Sequence, residues 1–173
     1  MYGHLEQAGD RWRVRIVRRL AHPPEKVWRA ITEPEHLAAW FPSRIDGERA
    51  AGAELRFVFE GEDGAEDEVM AGRMTAWEPP RLLELDWSGD LLRFELRPVG
   101  EGTELVFTQT FGELGRAARD TTGWHVCLDV LAAHLDGAGH EVAGEWRRLN
   151  AHYVKEFGPE AATIGPPEGH QPA

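Results

Sequence analysis

The stretch LAHPPEKVWRAITEPEHLAAWF, from Leu20 to Phe41, decides the fold because it encodes two short helices with explicit boundaries. Pro24 suits the first position of a helix, where its missing N–H group leaves no hydrogen bond unmade. After it, three large apolar residues recur on one helical face: Val27, Trp28 and Ile31. Helices this short are marginal on their own, so we expect them to lie on a surface that the rest of the chain supplies.

The second helix of this stretch begins at Pro34 by the same device. Leu37, Trp40 and Phe41 share its apolar face, and Pro42 ends it. We expect the two helices to form a lid at one end of the domain, with Trp40 and Phe41 near the mouth of a cavity.

The acidic composition argues against a nucleic-acid-binding role. Asp and Glu number 30 against 19 Lys and Arg, which gives a formal net charge of −11. In the basic run from Arg11 to Arg19, basic and apolar residues alternate, as they do on the two faces of a strand.

Cys127 is the only cysteine, which excludes an internal disulfide and a multi-cysteine zinc site. With no signal peptide or membrane-length apolar run, we expect a cytoplasmic protein without membrane insertion.

Alternating apolar residues predict an antiparallel meander of six to seven strands around these helices. The predicted strands lie at Trp12–Val17, Ala53–Glu60, Glu68–Trp77, Leu82–Trp87, Leu92–Leu96 and Leu105–Gln109. The turns between them are short, which suits antiparallel pairing.

The period changes to that of helices after the sheet. Trp124, Leu128, Leu131 and Leu135 form one stripe of a long helix that Gly137 can end. A further helix is predicted over 141–157; two roles stay open for it, mediating a homodimer through Trp146 and Tyr153 or covering its own subunit. We therefore expect one domain over 1–157 and a disordered tail over 158–173.

The predicted architecture is α+β, with a curved antiparallel sheet wrapped around the long C-terminal helix. The quoted stretch, GRMTAWEPPRLL from Gly72 to Leu83 and GWHVCLDVLAAHLDG from Gly123 to Gly137 resemble the START-like (SRPBCC) superfamily, and within it the branch of activators of heat shock protein 90 ATPase. The resemblance covers about 12–157. It implies the helix-grip fold, a sheet that grips a long helix over an apolar cavity.

Such a cavity would be lined by inward strand positions and by the stripe of the long helix. The candidate ligand-binding residues are Trp40, Phe57, Phe59, Met70, Trp87, Phe94, Phe107, Trp124, Leu128 and Leu131. Each of them is equally a candidate for plain core packing, since aromatic residues at strand or helix spacing are commonly buried. Seven tryptophans and seven phenylalanines are many to pack around one sheet, which favours a binding cavity.

Motifs for chemistry are sparse. The chain has no Gly-x-Ser-x-Gly motif, HExxH motif, phosphate loop or dinucleotide fingerprint, so we expect neither a metal nor a cofactor. We expect Cys127 to be a small buried apolar residue. The best-placed groups for proton transfer are His125 and Asp129, four residues apart on the long helix, and Gln109; a solvated ion pair is the alternative for the first two.

Three hypotheses of function remain. The first is a carrier or sensor that binds an apolar or aromatic small molecule, such as a lipid- or polyketide-like compound, in the cavity. The second is a cyclase- or hydrolase-type enzyme that uses the same cavity. The third, implied only by the resemblance, is a co-factor of a chaperone ATPase.

Overall fold

The computed structural model describes residues 1–166 of the chain. The two helices predicted from the opening stretch are present, as α1 (Pro24–Thr32) and α2 (Pro34–Trp40). Each begins with its proline, and the backbone N–H of Glu33 donates to the carbonyl of Arg29 at the junction. Most of the apolar face is buried, which fixes both helices against the sheet.

The helices pack on a single antiparallel sheet that has eight strands within the described residues. The strands are β1 (His4–Ala8), β2 (Arg11–Leu20), β3 (Arg44–Asp46), β4 (Glu54–Phe59), β5 (Glu68–Glu78), β6 (Leu82–Trp87), β7 (Asp90–Val99) and β8 (Gly102–Phe111). Their order across the sheet is β1-β2-β8-β7-β6-β5-β4-β3. This confirms the α+β sheet-and-helix fold, with eight strands in place of the predicted six to seven.

The two strands that the sequence does not announce are those at the edges. β1 has the sequence HLEQA, with a single large apolar residue, and β3 is three residues long. A strand this short with one apolar side chain cannot show the period-two alternation that marks a strand in a sequence. The hydropathy pattern therefore does not predict β1 or β3, although their backbones pair in register with β2 and β4.

The core lies between the concave face of the sheet and α3 (Ala117–Leu135). The predicted stripe of Trp124, Leu128, Leu131 and Leu135 is buried along it. The opposite, convex face carries charged side chains such as Arg15. The basic run follows this pattern with one exception, because Arg18 lies on the concave face and is only 9% exposed.

The last helix, α4 (Ala143–Phe157), packs on α3 of its own chain. Leu149 and Tyr153 are buried there with Ala118 and Val126. Tyr153 has no exposed surface, so its side chain covers its own subunit. Trp146, the other residue of the predicted aromatic interface, is half-buried, and the homodimer stays a prediction.

The segment after α4 is ordered where the structure describes it, in contrast to the predicted disordered tail. Residues Pro159–Ala162 form a helical turn, Ala161 is buried, and the N–H of Ile164 donates to the carbonyl of Gly115. Composition alone suggested disorder, but one small buried side chain and one backbone bond hold the segment. Residues 167–173, the rest of the predicted tail, lie outside the described residues.

Candidate functional site

The ten predicted lining residues all belong to one core cluster between the sheet and α3. Phe57, Phe94, Phe107, Leu128 and Leu131 are at most 1% exposed, and Trp40 and Trp124 are buried. Phe59, Met70 and Trp87 are half-buried and pack against the same cluster. The structure thus brings the predicted residues together, in the arrangement of a packed core.

Eight rings of this cluster form a continuous chain of contacts, which we call the aromatic network. Its members are Trp40, Phe41, Phe57, Phe59, Trp87, Phe94, Phe107 and Trp124, with centroid separations between neighbours of 4.5 to 6.0 Å. Most neighbours meet edge-on or tilted, as aromatic pairs prefer. Trp87 joins the branches, since its ring contacts Phe57 at 4.5 Å and Trp124 at 6.0 Å.

Phe41 belongs to the network although it was not among the predicted lining residues. Its ring lies 5.4 Å from Trp87 and 5.8 Å from Trp124, so it links the end of α2 to the sheet and to α3. The sequence could have predicted this role from the position of Phe41, which comes directly after α2, where the chain turns inward before Pro42. The indole N–H of Trp40 donates to the carbonyl of Ala30 at 2.8 Å, which anchors this end of α2.

The network reaches the surface at one end of the sheet, which we call the open end. Phe59 ends β4, Met70 lies near the start of β5, and Trp87 ends β6, so antiparallel pairing places all three at the same end. These are the half-buried members of the set. A ligand that reaches the interior would therefore meet these three side chains first.

A pocket of about 410 Å³ lies beside the open end, between α2 and the strands β3 and β4. Its lining is mostly apolar: Pro34, Leu37, Ala38, Phe41, Pro42, Ile45 and Val58, together with Ser43, Arg44 and Glu60. The Ser43 hydroxyl is buried and finds no hydrogen-bond partner in the part of the chain that the structure describes. The volume and lining are in the range of small-molecule sites, and Phe41 connects the pocket to the aromatic network.

Gln109 lies in a buried polar cluster at the same end of the sheet. Its amide nitrogen donates to Asp90 at 2.9 Å and to Asp120 at 3.2 Å. Arg116 bridges the same carboxylates, at 2.6 Å and 2.8 Å, and stays charged: burial lowers the pKa of its guanidinium, but the hydrogen bond to Asp90 and the charge of Asp120 outweigh this and raise it. We call Asp90, Gln109, Arg116 and Asp120 the Gln109 cluster.

The other two predicted proton-transfer residues lie elsewhere. His125 and Asp129 face β2 and α4, whereas Trp124 and Leu128 face the sheet. His125 is 6% exposed, so the pair is not the solvated one that was the alternative. The structure therefore separates His125 and Asp129 from Gln109, and the three do not form one catalytic group.

His125 and Asp129 belong to a buried chain of hydrogen bonds that ties four parts of the molecule together. The Gly3 N–H donates to the Tyr153 hydroxyl at 2.8 Å, and that hydroxyl lies 2.6 Å from His125 Nδ1. His125 Nε2 lies 3.2 Å from Asp129, which also accepts from Arg18 Nε at 2.9 Å. Burial opposes ionisation of Asp129, but the hydrogen bond from His125 and the charge of Arg18 outweigh it and lower the pKa of its carboxyl.

The single cysteine is poorly suited to act as a nucleophile. Burial raises the pKa of the Cys127 thiol to about 12, which leaves almost no thiolate at neutral pH. Among the described residues no cluster of three or more His, Cys, Asp or Glu side chains is arranged to hold a metal ion. Within the same residues, no helix is both long and apolar enough to cross a membrane.

Comparisons with known proteins agree on the fold. The model of the family described as "Activator of Hsp90 ATPase homolog 1-like protein" matches residues 21–136. This range begins just before α1 and ends just after α3, so it contains the network and the Gln109 cluster. No curated protein sequence matches the chain.

Solved structures of similar shape come from several bacteria. A conserved protein of unknown function from Enterococcus faecalis superposes with a TM-score of 0.75 at 19% identity, over 90% of each chain. CalU16 from Micromonospora echinospora gives a TM-score of 0.69 at 19% identity, over 90% of this chain and 95% of that one. A protein from Rhodobacter sphaeroides gives 0.62 at 26% identity, over 79% of this chain and all of its own. At the identities of the first two, the likeness is one of fold.

Proposed function

The chain belongs to the Activator of Hsp90 ATPase homolog 1-like protein family, and from this premise we propose that it binds an apolar or aromatic small molecule between the sheet and α3, as a carrier or sensor. The family's fold supports ligand binding in general terms. The chemical class of the ligand is our inference from the side chains of this chain, chiefly from the aromatic network.

The observation that carries the proposal is the open end of that network. Phe59, Met70 and Trp87 are half-buried at one end of a chain of rings that continues into the core. A half-buried tryptophan exposes apolar surface that a ligand can cover, and burial of such surface is worth about 25 cal/mol per Å². The neighbouring pocket of about 410 Å³ offers space of the size that small molecules occupy.

We assign no reaction to this site. The enzyme hypothesis needs a polar group placed for proton transfer beside the ligand, and the groups named for it lie in two separate clusters. Gln109 is the member at the open end, and an amide does not titrate near neutral pH. The arrangement is better suited to holding a ligand than to transforming it.

Ligand-dependent stability tests the proposal. Freshly purified protein is examined by native mass spectrometry for a retained small molecule, and then by thermal denaturation against a library of aromatic and acyl compounds. A ligand present at 100 times its Kd stabilises the fold by about 2.7 kcal/mol, which is an easily measured rise in Tm. A library without a single hit, from protein that retains nothing, would contradict the proposal.

Two half-buried tryptophans give a matched pair of variants. Trp87→Ala removes the ring that joins the branches of the network, and we expect it to abolish the ligand-induced rise in Tm. Trp146→Ala removes a half-buried ring on α4, which packs against the buried contact between α3 and α4 around Leu149 and Tyr153. The ligand-induced rise should survive in Trp146→Ala, whatever the basal stability of either variant.

The family description favours a second candidate, stimulation of a chaperone ATPase. It predicts that the purified chain binds a purified Hsp90-type ATPase and raises its rate of ATP hydrolysis. Calorimetry of the pair at micromolar concentration, with an ATPase assay in parallel, is the measurement. Absence of both binding and stimulation would remove this candidate.

A further inference from the structure

One buried acceptor in the Gln109 cluster lacks a partner. Gln109 is 2% exposed, and its Oε1 finds no hydrogen bond anywhere in residues 1–166. The orientation of the amide follows from its neighbours, because both groups that it meets, Asp90 and Asp120, are carboxylates that can only accept. Turning the amide over would set its oxygen against two carboxylate oxygens. The NH₂ group is therefore committed, and the carbonyl oxygen is directed away from it.

Each carboxylate of the cluster already has arginine partners. Arg116 pairs with Asp90 and Asp120, and Arg119 pairs with Asp120 at 2.8 Å. Arg11 lies 3.9 Å from Asp90 on the other side. What the cluster still offers to a ligand is thus a neutral acceptor, since each carboxylate already has an arginine beside it. A buried acceptor without a donor costs free energy comparable to a lost hydrogen bond, so a donor at this point is favoured.

The register of the sheet puts this acceptor beside the open end of the aromatic network. Gln109 follows Phe107 on the inward face of β8, and Asp90 is the cross-strand partner of Trp87. On α3, Asp120 lies one turn before Trp124, whose ring contacts both Trp87 and Phe107. Aromatic surface and the unpaired oxygen of Gln109 therefore lie close together between the sheet and α3.

We propose that the ligand carries a neutral hydrogen-bond donor, a hydroxyl group, on an aromatic body, and that Gln109 Oε1 accepts from it. The inference rests on the proposed function and names the polar end of the ligand that the aromatic network holds. A carboxylate ligand has no hydrogen to donate to Gln109 Oε1, so it would leave this acceptor unpaired. The site then selects ligands by their donor group. An analogue without a donor leaves Gln109 Oε1 unpaired and buried, which strongly weakens its binding.

Three probes of equal ring size test this: 2-naphthol, 2-methylnaphthalene and 2-naphthoate. Their Kd values for the full chain are measured by equilibrium dialysis at pH 7, where the naphthol is neutral. We expect 2-naphthol to bind about tenfold more tightly than 2-methylnaphthalene, the effect of one buried hydrogen bond, and 2-naphthoate to bind most weakly. Equal affinity of 2-naphthol and 2-methylnaphthalene would overturn the inference while leaving the proposed function intact. Failure of all three to bind would instead count against the proposed function.

A variant ties the preference to Gln109. Gln109→Met keeps the length of the side chain and removes the acceptor, so the tenfold preference for 2-naphthol should vanish while 2-methylnaphthalene binds as before. Thr108→Val, one residue earlier on the outward face of β8, is the control and should keep the preference. A preference that persists in Gln109→Met would overturn the inference. If Gln109→Met does not fold, the comparison of the three probes on the unaltered chain decides alone.

Discussion

Asp129 shows how one residue couples stability to pH. Its carboxyl accepts from Arg18 Nε and from His125, and these partners lower its pKa in spite of burial. An acid whose pKa is lowered by folding binds fewer protons in the native state than in the unfolded state. Its contribution to stability is therefore complete above the unfolded pKa of about 3.9 and is lost as the pH falls through the folded value.

Replacing Asp129 by Asn should remove this contribution. We expect Asp129→Asn to lower the free energy of unfolding by about 1 to 3 kcal/mol at pH 7, the worth of hydrogen bonds to a charged group. The difference from the unaltered chain should stay constant above about pH 5 and shrink below about pH 4. Urea denaturation at several pH values measures this difference in the free energy of unfolding. Asp63→Asn, in the exposed turn before β5, is the control. A difference that does not shrink in acid would contradict this account.

Cys127 makes the opposite case, in which a chemically reactive residue type is inert. Cys127 is partly buried and packs against the core, and burial of the thiol raises its pKa to about 12. Because the thiolate is the reactive form, the native protein should react with Ellman's reagent at least a hundredfold more slowly than the chain in urea. Equal rates in the two states would show that the thiol is accessible and that the predicted role as a buried hydrophobe is wrong.

Two glycines differ in the space that their surroundings leave for a side chain. Gly72 on β5 lies under the Phe57 ring, and a Cβ there would overlap that ring and the Asp86 carbonyl oxygen. Gly123 lies within α3, and a Cβ there would meet no atom of residues 1–166 within 4 Å other than its chain neighbours and the backbone of its own helix. The first glycine allows the aromatic network to close on the sheet, whereas the second only costs helix stability.

We therefore expect opposite shifts in stability. Gly72→Ala should destabilise the fold by about 1 to 3 kcal/mol through overpacking, and Gly123→Ala should stabilise it by about 0.5 to 1 kcal/mol through helix propensity. Thermal and urea denaturation of both variants are the measurements. Gly112→Ala, just after β8, also meets open space and should stay within about 0.5 kcal/mol of the unaltered chain. A stable Gly72→Ala variant would mean that the Phe57 ring can move aside.

The sequence predicts the central elements well and the edges poorly. Proline punctuation places α1 and α2, and regular alternation places the inner strands, because each of these elements buries one whole face. β1 and β3 escape prediction because each contributes only one large apolar side chain to the core, Leu5 and Ile45, which is too few to show an alternating pattern. The order of 158–166 escapes prediction as well, because a backbone bond to Gly115 holds a segment of disorder-prone composition.

The candidate site is predictable in its apolar part only. Inward strand positions, the stripe of the long helix and Trp40 of the second short helix name the rings of the network, apart from Phe41. The polar groups depend on how α3 is rotated against the sheet and α4, which spacing along the chain does not reveal. His125 and Asp129 are candidates for proton transfer beside the cavity on their spacing alone, yet they lie toward β2 and α4, whereas Gln109 gains Asp90 and Asp120 from two other elements.

For the molecule as a whole, parts outside the family match complete the core. The match covers 21–136, so β1, β2 and α4 lie beyond it. Yet Arg18 on β2 holds Asp129, and Tyr153 on α4 holds both His125 and the N–H of Gly3. Helix α3 thus has the aromatic network on one face and the buried chain of hydrogen bonds from Gly3 to Arg18 on the other. This chain of hydrogen bonds fixes how α3 lies over the sheet.

Removal of α4 should therefore undermine the whole fold. A chain ending at Gly137 loses the buried side chains of Leu149 and Tyr153, each worth about 1.5 to 3 kcal/mol, and exposes Val126 and Ala118. Against a typical total of about 5 to 15 kcal/mol, we expect a much lower urea midpoint or no cooperative transition. Val154→Ala in the full chain, at a side chain 38% exposed on the same helix, should change little. An unchanged midpoint in the shortened chain would show that α3 is held by the sheet alone.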